Sequence, residues 1–264
     1  MGSMSDTSSQ KTVSFGFETV TEDEKVRRVK GVFRSVAGNY DLMNDLMSAG
    51  VHRLWKYDTL SRLNPQPGEH LIDVAGGTGD VAKGFLERAD RAGQRTGNNK
   101  DASAVICDIN DAMLAAGRER SELKSFRERL GWICGDATAL PFPDRSADAI
   151  TIAFGIRNVA DRLKALEEFR RVLKPGGRLA VLEFSHMTAP LLQKAYDTYS
   201  FNVIPWLGGL VAGDRSSYQY LVESIRQFPD QETFRAEIEA AGFSRTSFTN
   251  FSGGIAALHF AWAV

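Results

Sequence analysis

The segment that most narrows the fold is Asp73-Val-Ala-Gly-Gly-Thr-Gly79. A short apolar run from His70 to Ala75 leads into it, and helical patterning follows from Asp80 to Ala89. Strand, glycine turn and helix in that order let backbone approach a ligand closely and aim a helix N-terminus at it. In a doubly wound sheet such a loop lies at the carboxyl ends of the strands, near the switch in strand order. The loop therefore predicts an α/β sheet with a ligand held above one end.

The chain after the loop agrees. Apolar runs at Ala104–Cys107, Leu130–Cys134, Ala147–Phe154 and Leu179–Phe184 read as strands. Helical segments at Asp111–Leu123 and Arg162–Leu173 lie between them, the second stopped by Lys174-Pro-Gly-Gly177. This alternation predicts a doubly wound, mostly parallel sheet with right-handed crossovers. Ser244–Phe251 and Ala256–Ala263 add a C-terminal antiparallel strand pair. Residues 1–16 read as a disordered tail, its first residues resembling a cloning remnant. One domain spans 17–264: a helical cap over 17–65, then a cofactor-binding core over 66–264 with an acceptor-site insertion near 186–228. In the cap, Thr21 and Glu24 form a capping box. Val26, Val29, Phe33 and Val36 mark one helix face, opposite Lys25, Arg27, Arg28, Lys30 and Arg34.

Composition excludes some function classes. With 32 basic against 33 acidic residues the net charge is −1, without the cationic excess of a general nucleic-acid binder. Two cysteines, Cys107 and Cys134, sit in apolar runs and read as buried structural thiols. No apolar stretch approaches the ~20 residues of a membrane-spanning helix. A cytoplasmic protein is expected.

Three acids shape the ligand reading. Asp73 precedes Gly76, Gly77, Thr78 and Gly79, where its carboxylate suits a cationic amino-acid group and would repel a pyrophosphate. Asp108 ends the second core strand, placed for a ribose diol. Asp136, in Gly135-Asp136-Ala137, closes the third, where it can accept from an adenine amino group. This set favours S-adenosylmethionine. Gly77-Thr-Gly79-Asp-Val-Ala82 also satisfies the dinucleotide pattern, so a nicotinamide-dependent reductase is the competing enzyme class.

Several segments resemble the UbiE-type methyltransferases of ubiquinone and menaquinone biosynthesis. They are Tyr40-Asp-Leu-Met-Asn-Asp45, Val51-His-Arg-Leu-Trp-Lys56, Ala75-Gly-Gly-Thr-Gly-Asp80, Asp108-Ile-Asn110, Ala139-Leu-Pro-Phe-Pro143, Phe154-Gly-Ile-Arg-Asn158, Leu173-Lys-Pro-Gly-Gly-Arg178 and Leu182-Glu-Phe-Ser185. The resemblance runs from about residue 17 to the C-terminus. It implies C-methylation of a polyprenylated benzoquinol (2-methoxy-6-polyprenyl-1,4-benzoquinol) or naphthoquinol (demethylmenaquinol), with S-adenosylmethionine held by Thr78, Asp108, Asp136 and Ala137. A further contact of the family, often Ser, falls on Ala153, where any contact must be through backbone. The partners implied are the polyprenyl quinol, a peripherally touched inner membrane face or a quinone-synthesis complex, and a second copy in a homo-oligomer. A class I methyltransferase for another small aromatic or lipid acceptor is the alternative, and a non-catalytic scaffold of methyltransferase fold is the other class.

A sulfonium methyl is already electrophilic, so such an enzyme mainly holds a nucleophilic ring carbon in line and favours phenolate. Arg157 and Asn158, after the fourth core strand, are expected at the acceptor, Arg157 stabilising phenolate or orienting a water. Tyr40 is expected to hydrogen-bond the quinol oxygen. His52 and His186 are candidate bases by residue type. The apolar segment Phe201–Ala212 is expected to line the tail channel or lie at a membrane interface.

Overall fold

The computed structural model describes residues 11–36, 45, 48, 50–188 and 215–264. Its centre is a seven-stranded sheet of β3 (His70–Val74), β4 (Ser103–Asp108), β5 (Leu130–Cys134), β6 (Ala147–Ala153), β7 (Leu173–Phe184), β8 (Ser244–Phe251) and β9 (Ala256–Trp262). The order is β5-β4-β3-β6-β7-β9-β8. The first five are parallel, and β9 lies antiparallel between β7 and β8. Order reverses between β3 and β6, so the switch point falls directly after the glycine loop.

Side chains alternate across the sheet, as a two-residue period requires. Leu71 and Ile72 are both fully buried but belong to different apolar layers. One layer joins Leu71, Ala104 and Leu182 to Trp55, Leu63, Phe85 and Leu221. The other joins Ile72, Ile150 and Val181 to Leu166, Phe169, Phe234 and Ile238. The flanking helices are α1 (Glu22–Val36), α2 (His52–Leu63), α3 (Asp80–Thr96), α4 (Asp111–Arg118), α5 (Arg162–Val172), α6 (Arg215–Gln227) and α7 (Gln231–Ala240).

Four expectations change. Residues 12–21 form a hairpin, β1 (Thr12–Phe15) paired with β2 (Glu18–Thr21), in place of the end of a disordered tail and the start of a helical cap. Its β-branched alternation finds a partner in the body: the Phe15 ring stacks on Tyr220 at 4.1 Å, and Lys11 Nζ lies 2.5 Å from Asp161 Oδ2. Helix α4 ends at Arg118 rather than Leu123, followed by a tighter turn at Ser121–Phe126. Arg120 between them is extended, which lets its guanidinium donate to Thr78 Oγ1 at 2.9 Å and Asp80 Oδ1 at 2.6 Å. Cys134 is exposed, because β5 is the sheet edge, whereas Cys107 is buried and burial pushes its thiol up to about 12. Lys25 is buried, not part of an exposed basic face. The capping box at Thr21 holds, with Glu24 N donating to Thr21 Oγ1 at 3.2 Å.

Candidate active site

The site is built at the carboxyl ends of β3, β4, β5 and β6. There Ala75 and Phe154 adopt positive φ, 50° and 59°. Left-handed backbone at a residue with a Cβ costs about 1–2 kcal/mol. Two such residues at adjacent strand ends mark a place where the fold stores strain.

The glycine loop connects β3 to α3. Gly79, at φ 89°, is the N-cap position of α3, and a Cβ there would meet Ile106 Cδ1 at 2.7 Å. At Gly76 a Cβ would lie 2.7 Å from Asp73 Oδ2, closer than the two atoms can approach, so only glycine fits beside that carboxylate.

Two spaces flank this loop. A cavity of about 230 Å³ is walled by Ala75, Gly77, Asp108, Asn110, Met113, Asp136, Ala137, Phe154 and Asn158, and roofed by Glu22, Val26, Val29, Lys30 and Phe33 of α1. A cleft of about 20 Å³ on the other side is lined by Lys56, Asp73, Gly76, Thr78, Asp80 and Ala153. The expected cofactor residues thus divide between the two spaces, with Gly79 shaping the turn.

Asp108 is 8% exposed. Its Oδ2 accepts from Gly77 N at 2.9 Å and its Oδ1 from Asn110 N at 2.8 Å. These bonds tie the glycine loop to the end of β4. Each carboxylate oxygen keeps a lone pair for a diol on the cavity side. Burial raises the Asp108 carboxyl, and the backbone N–H groups of Asn110, Gly77 and Ile109 oppose that rise. Asp136 Oδ1 accepts from Thr138 N at 2.8 Å and Thr138 Oγ1 at 2.9 Å, which fixes the turn that brings Ala137 to the wall.

Asp73 is 1% exposed; its Oδ1 accepts from Thr151 Oγ1 at 2.7 Å, while its Oδ2 has no partner. Burial pushes this carboxyl up to about 7. Its neighbour Asp80 behaves oppositely. Burial alone would raise it, but Lys56 and Arg120 hold it well below the usual carboxylate range. Asp80 therefore neutralises Lys56, at 2.9 Å, and leaves Asp73 Oδ2 for another cation.

Asn158 is 9% exposed and lines the main cavity. Its Oδ1 accepts from the Tyr220 hydroxyl at 2.9 Å, and its Nδ2 has no partner. The guanidinium of Arg157 points elsewhere. It donates from Nη1 to Glu183 Oε1 at 2.6 Å and to the Phe154 carbonyl at 2.7 Å, and from Nε to Ser224 Oγ at 3.3 Å. Both side chains of the Arg157–Glu183 pair are 1% exposed. The Arg157 charge is paired with Glu183, and Arg157 is not among the residues that line the cavity, whereas Asn158 is.

Neither histidine lines the cavity. His52 is buried, with Nδ1 3.1 Å from Ser48 Oγ, and His186 Nε2 donates to the Phe228 carbonyl at 2.7 Å. Tyr40 and Phe201–Ala212 lie outside the described residues. Sequence reasoning passed over Lys25, Glu183 and Tyr220. Glu183 did carry a signal, an acid in an otherwise apolar central strand, Leu179–Phe184.

The sequence model of the ubiE/COQ5 methyltransferase family matches residues 18–263. The chain belongs to that family. A Caulobacter vibrioides protein named "Ubiquinone/menaquinone biosynthesis C-methyltransferase UbiE" is 57% identical over 256 residues, 97% of this chain and 100% of its own. A Paracoccus denitrificans protein of the same name is 56% identical over 252 residues, 96% and 97% of the two chains. Among solved structures, a SAM-dependent methyltransferase from Aquifex aeolicus superposes with a TM-score of 0.56 at 15% identity, over 93% of this chain and 100% of its own. The [4+2]-cyclase SpnF gives 0.63 at 16% identity, over 90% and 95%. At such identities the likeness is of fold alone, and a cyclase on this fold illustrates why.

As a member of this family the chain takes S-adenosylmethionine as its cofactor. The residues fit it: a buried carboxylate oxygen on Asp73 with no protein partner, a glycine whose Cβ would crowd that oxygen, and a buried acid beside the cavity.

Two predictions follow from this electrostatics. Because burial raises the Asp73 pKa, the folded chain binds this proton more tightly than the unfolded chain between about pH 4 and 7, and the stability this provides is lost as pH rises through the folded value. A cation at Oδ2 would reverse the shift and expel the proton. Calorimetry at slightly acid pH, in buffers of different ionisation enthalpy, should register proton release as S-adenosylmethionine binds. Asp73→Asn should bind more weakly and without that release. Binding to the parent with no proton released would remove Asp73 from the amino-acid end of the ligand.

Arg157→Ala should cost about 3–5 kcal/mol of folding stability, because Glu183 is left as a buried unpaired charge. Urea denaturation measures it. Arg157→Met combined with Glu183→Leu should recover most of the loss; equal instability in the double variant would mean the ion pair is not the cause.

Proposed function

We propose that this chain methylates a ring carbon of a polyprenylated quinol in ubiquinone or menaquinone biosynthesis. The observation that carries this reading is identity of 54–57% over nearly the whole chain to proteins named as C-methyltransferases of that biosynthesis. The acid-and-glycine cradle is complete in the same chain, which argues against a scaffold without activity.

S-adenosylmethionine supplies an electrophilic methyl group when bound. Asp108 would accept from its ribose hydroxyls, Asp136 and Ala137 would meet the adenine, and Asp73 and the backbone of Gly76 and Ala153 would meet the amino-acid end. Asn158 lines the same cavity and carries a buried N–H with no protein partner, which would serve as a neutral donor. Donation to a quinol oxygen stabilises phenolate there, which raises electron density at the adjacent ring carbon. Phe154 and the α1 residues Val26, Val29 and Phe33 supply apolar walls that exclude water from the reaction.

The reading covers benzoquinol and naphthoquinol acceptors alike. In cells lacking the protein, mass spectrometry of the quinone pool should find the demethyl precursor of one or both. A pool unchanged in composition would overturn the assignment.

The acceptor is apolar, yet no helix among the described residues is long and apolar enough to cross a membrane. Peripheral attachment is therefore proposed. Helix α1 is a weaker contact surface than its pattern suggests, because Lys25 is buried and Arg28 is paired with Glu18 and Glu24. A groove between α2 and α3 supports the idea better. Arg88, Arg91 and Arg95 line it with no carboxylate among its walls, and exposed Tyr57 and Leu54 stand beside it. The protein should float with vesicles containing anionic lipid and lose that association when the three arginines become serine. Equal flotation of the triple variant would move the contact elsewhere.

A further inference from the structure

Three separate restraints converge on Asn158. Lys25 Nζ, reaching in from α1, donates to the carbonyl of Val159 at 3.1 Å and to that of Arg157 at 3.5 Å, the residues on either side. Asn158 N donates to the Gly155 carbonyl at 3.0 Å, closing a short helical turn over Ile156–Asn158. These fix the backbone. They leave the amide free to rotate by half a turn, which would exchange a donor for an acceptor at the cavity wall.

One contact removes that freedom. The Tyr220 hydroxyl, on α6, donates to Asn158 Oδ1 at 2.9 Å. Tyr220 is 5% exposed, and burial raises its hydroxyl further above its ordinary value, so it stays protonated and remains a donor. Its ring is clamped against Phe15 of the hairpin, with planes 17° apart. A donor facing Oδ1 requires the opposite end of the amide to be Nδ2, which is buried and has no protein partner. An orphaned buried N–H costs about 1–3 kcal/mol. After a flip Nδ2 could donate to the hydroxyl oxygen, but the phenolic proton would lose its acceptor and Oδ1 its donor, so the flip trades one orphaned group for two.

We infer that Tyr220 is a positioning residue for methyl transfer: it holds the Asn158 amide with N–H toward the cavity, where it meets the acceptor's oxygen. This rests on the proposed role of Asn158, and the experiment separates the two. Single-turnover methyl transfer to a short-chain quinol is measured at saturating S-adenosylmethionine in the parent, Asn158→Ala, Tyr220→Phe and the double variant. Cofactor affinity and thermal stability are measured alongside.

Asn158→Ala should be slower by on the order of 10²-fold. Tyr220→Phe should be slower by about two- to tenfold, with cofactor affinity kept, because the amide then samples both orientations and the orphaned N–H disfavours the productive one. In the double variant the Tyr220 effect should vanish, since there is no amide left to orient. A normal rate in Asn158→Ala would sink the site reading itself. A slow Asn158→Ala with a normal Tyr220→Phe, or with Tyr220 losses that persist in the double variant, would overturn the positioning role. Should Tyr220→Phe fail to fold, Asn158→Asp still accepts from the hydroxyl but lacks the N–H; a normal rate there would also overturn the proposal.

Discussion

The ion pair between Arg157 and Glu183 is the constraint on which the active end of this protein depends. Two opposite charges removed from water are tolerable only together. Burying them links β7 to the turn after β6, and through Ser224 to α6. The same guanidinium caps the carbonyl of Phe154, which with Ala75 is held at positive φ at the strand ends of the site. The strained strand end, the turn that carries Asn158 and the helix that carries Tyr220 are therefore set by one pair of side chains. A hydrophobic pair would fill the space, but would leave the Phe154 carbonyl without that donor.

The glycine loop is fixed by a different acid. Asp108 accepts from Gly77 and Asn110 and so couples the ends of β3 and β4 before any ligand arrives. The loop also divides the site. The larger cavity holds Asp108, Asp136 and Asn158; the smaller cleft holds Asp73 and Thr78. Thr78 has its hydroxyl occupied by Arg120, which also reaches Asp80. Thr78 thereby tethers the loop to Arg120, the extended residue after α4. The hydroxyl accepts there and keeps its own proton to donate, and the Thr78 carbonyl accepts from the same nitrogen at 3.3 Å.

Much of this was legible in the residues because its determinants are local. The alternation of apolar runs with helical patterning gives a parallel sheet, and a glycine turn between them gives the switch-point site. Asp73, Asp108 and Asp136 announce themselves because each follows a strand. What was not legible depends on pairings far apart in sequence. Arg157 was assigned to the acceptor because position puts it there, and nothing near it in sequence reveals Glu183, 26 residues on. Lys25 falls on the polar side of a helical wheel, yet the carbonyls it satisfies belong to a turn more than 130 residues away. Cys134 has the apolar neighbours of a core strand, but strand order makes β5 an edge. The hairpin at 12–21 is short, and its stacking on Tyr220, its ion pairs and the Phe17 N–H bond to Glu223 give it a reason to form.

The burial of Arg157 also makes chemical sense. Methyl transfer brings a cationic donor to a ring that must carry developing negative charge. A guanidinium exposed at the cavity wall would stabilise phenolate, but it would also repel the sulfonium beside it. At 4 Å two like charges at an effective dielectric near 20 oppose each other by about 4 kcal/mol. A neutral amide avoids that conflict. It offers a donor to the ring oxygen without a net charge toward the cofactor. The cation is kept one layer back, neutralised by Glu183, where it shapes the turn instead of the field. On this view the wall needs a strong scaffold and a weak, well-aimed dipole, and the sequence supplies them as adjacent residues.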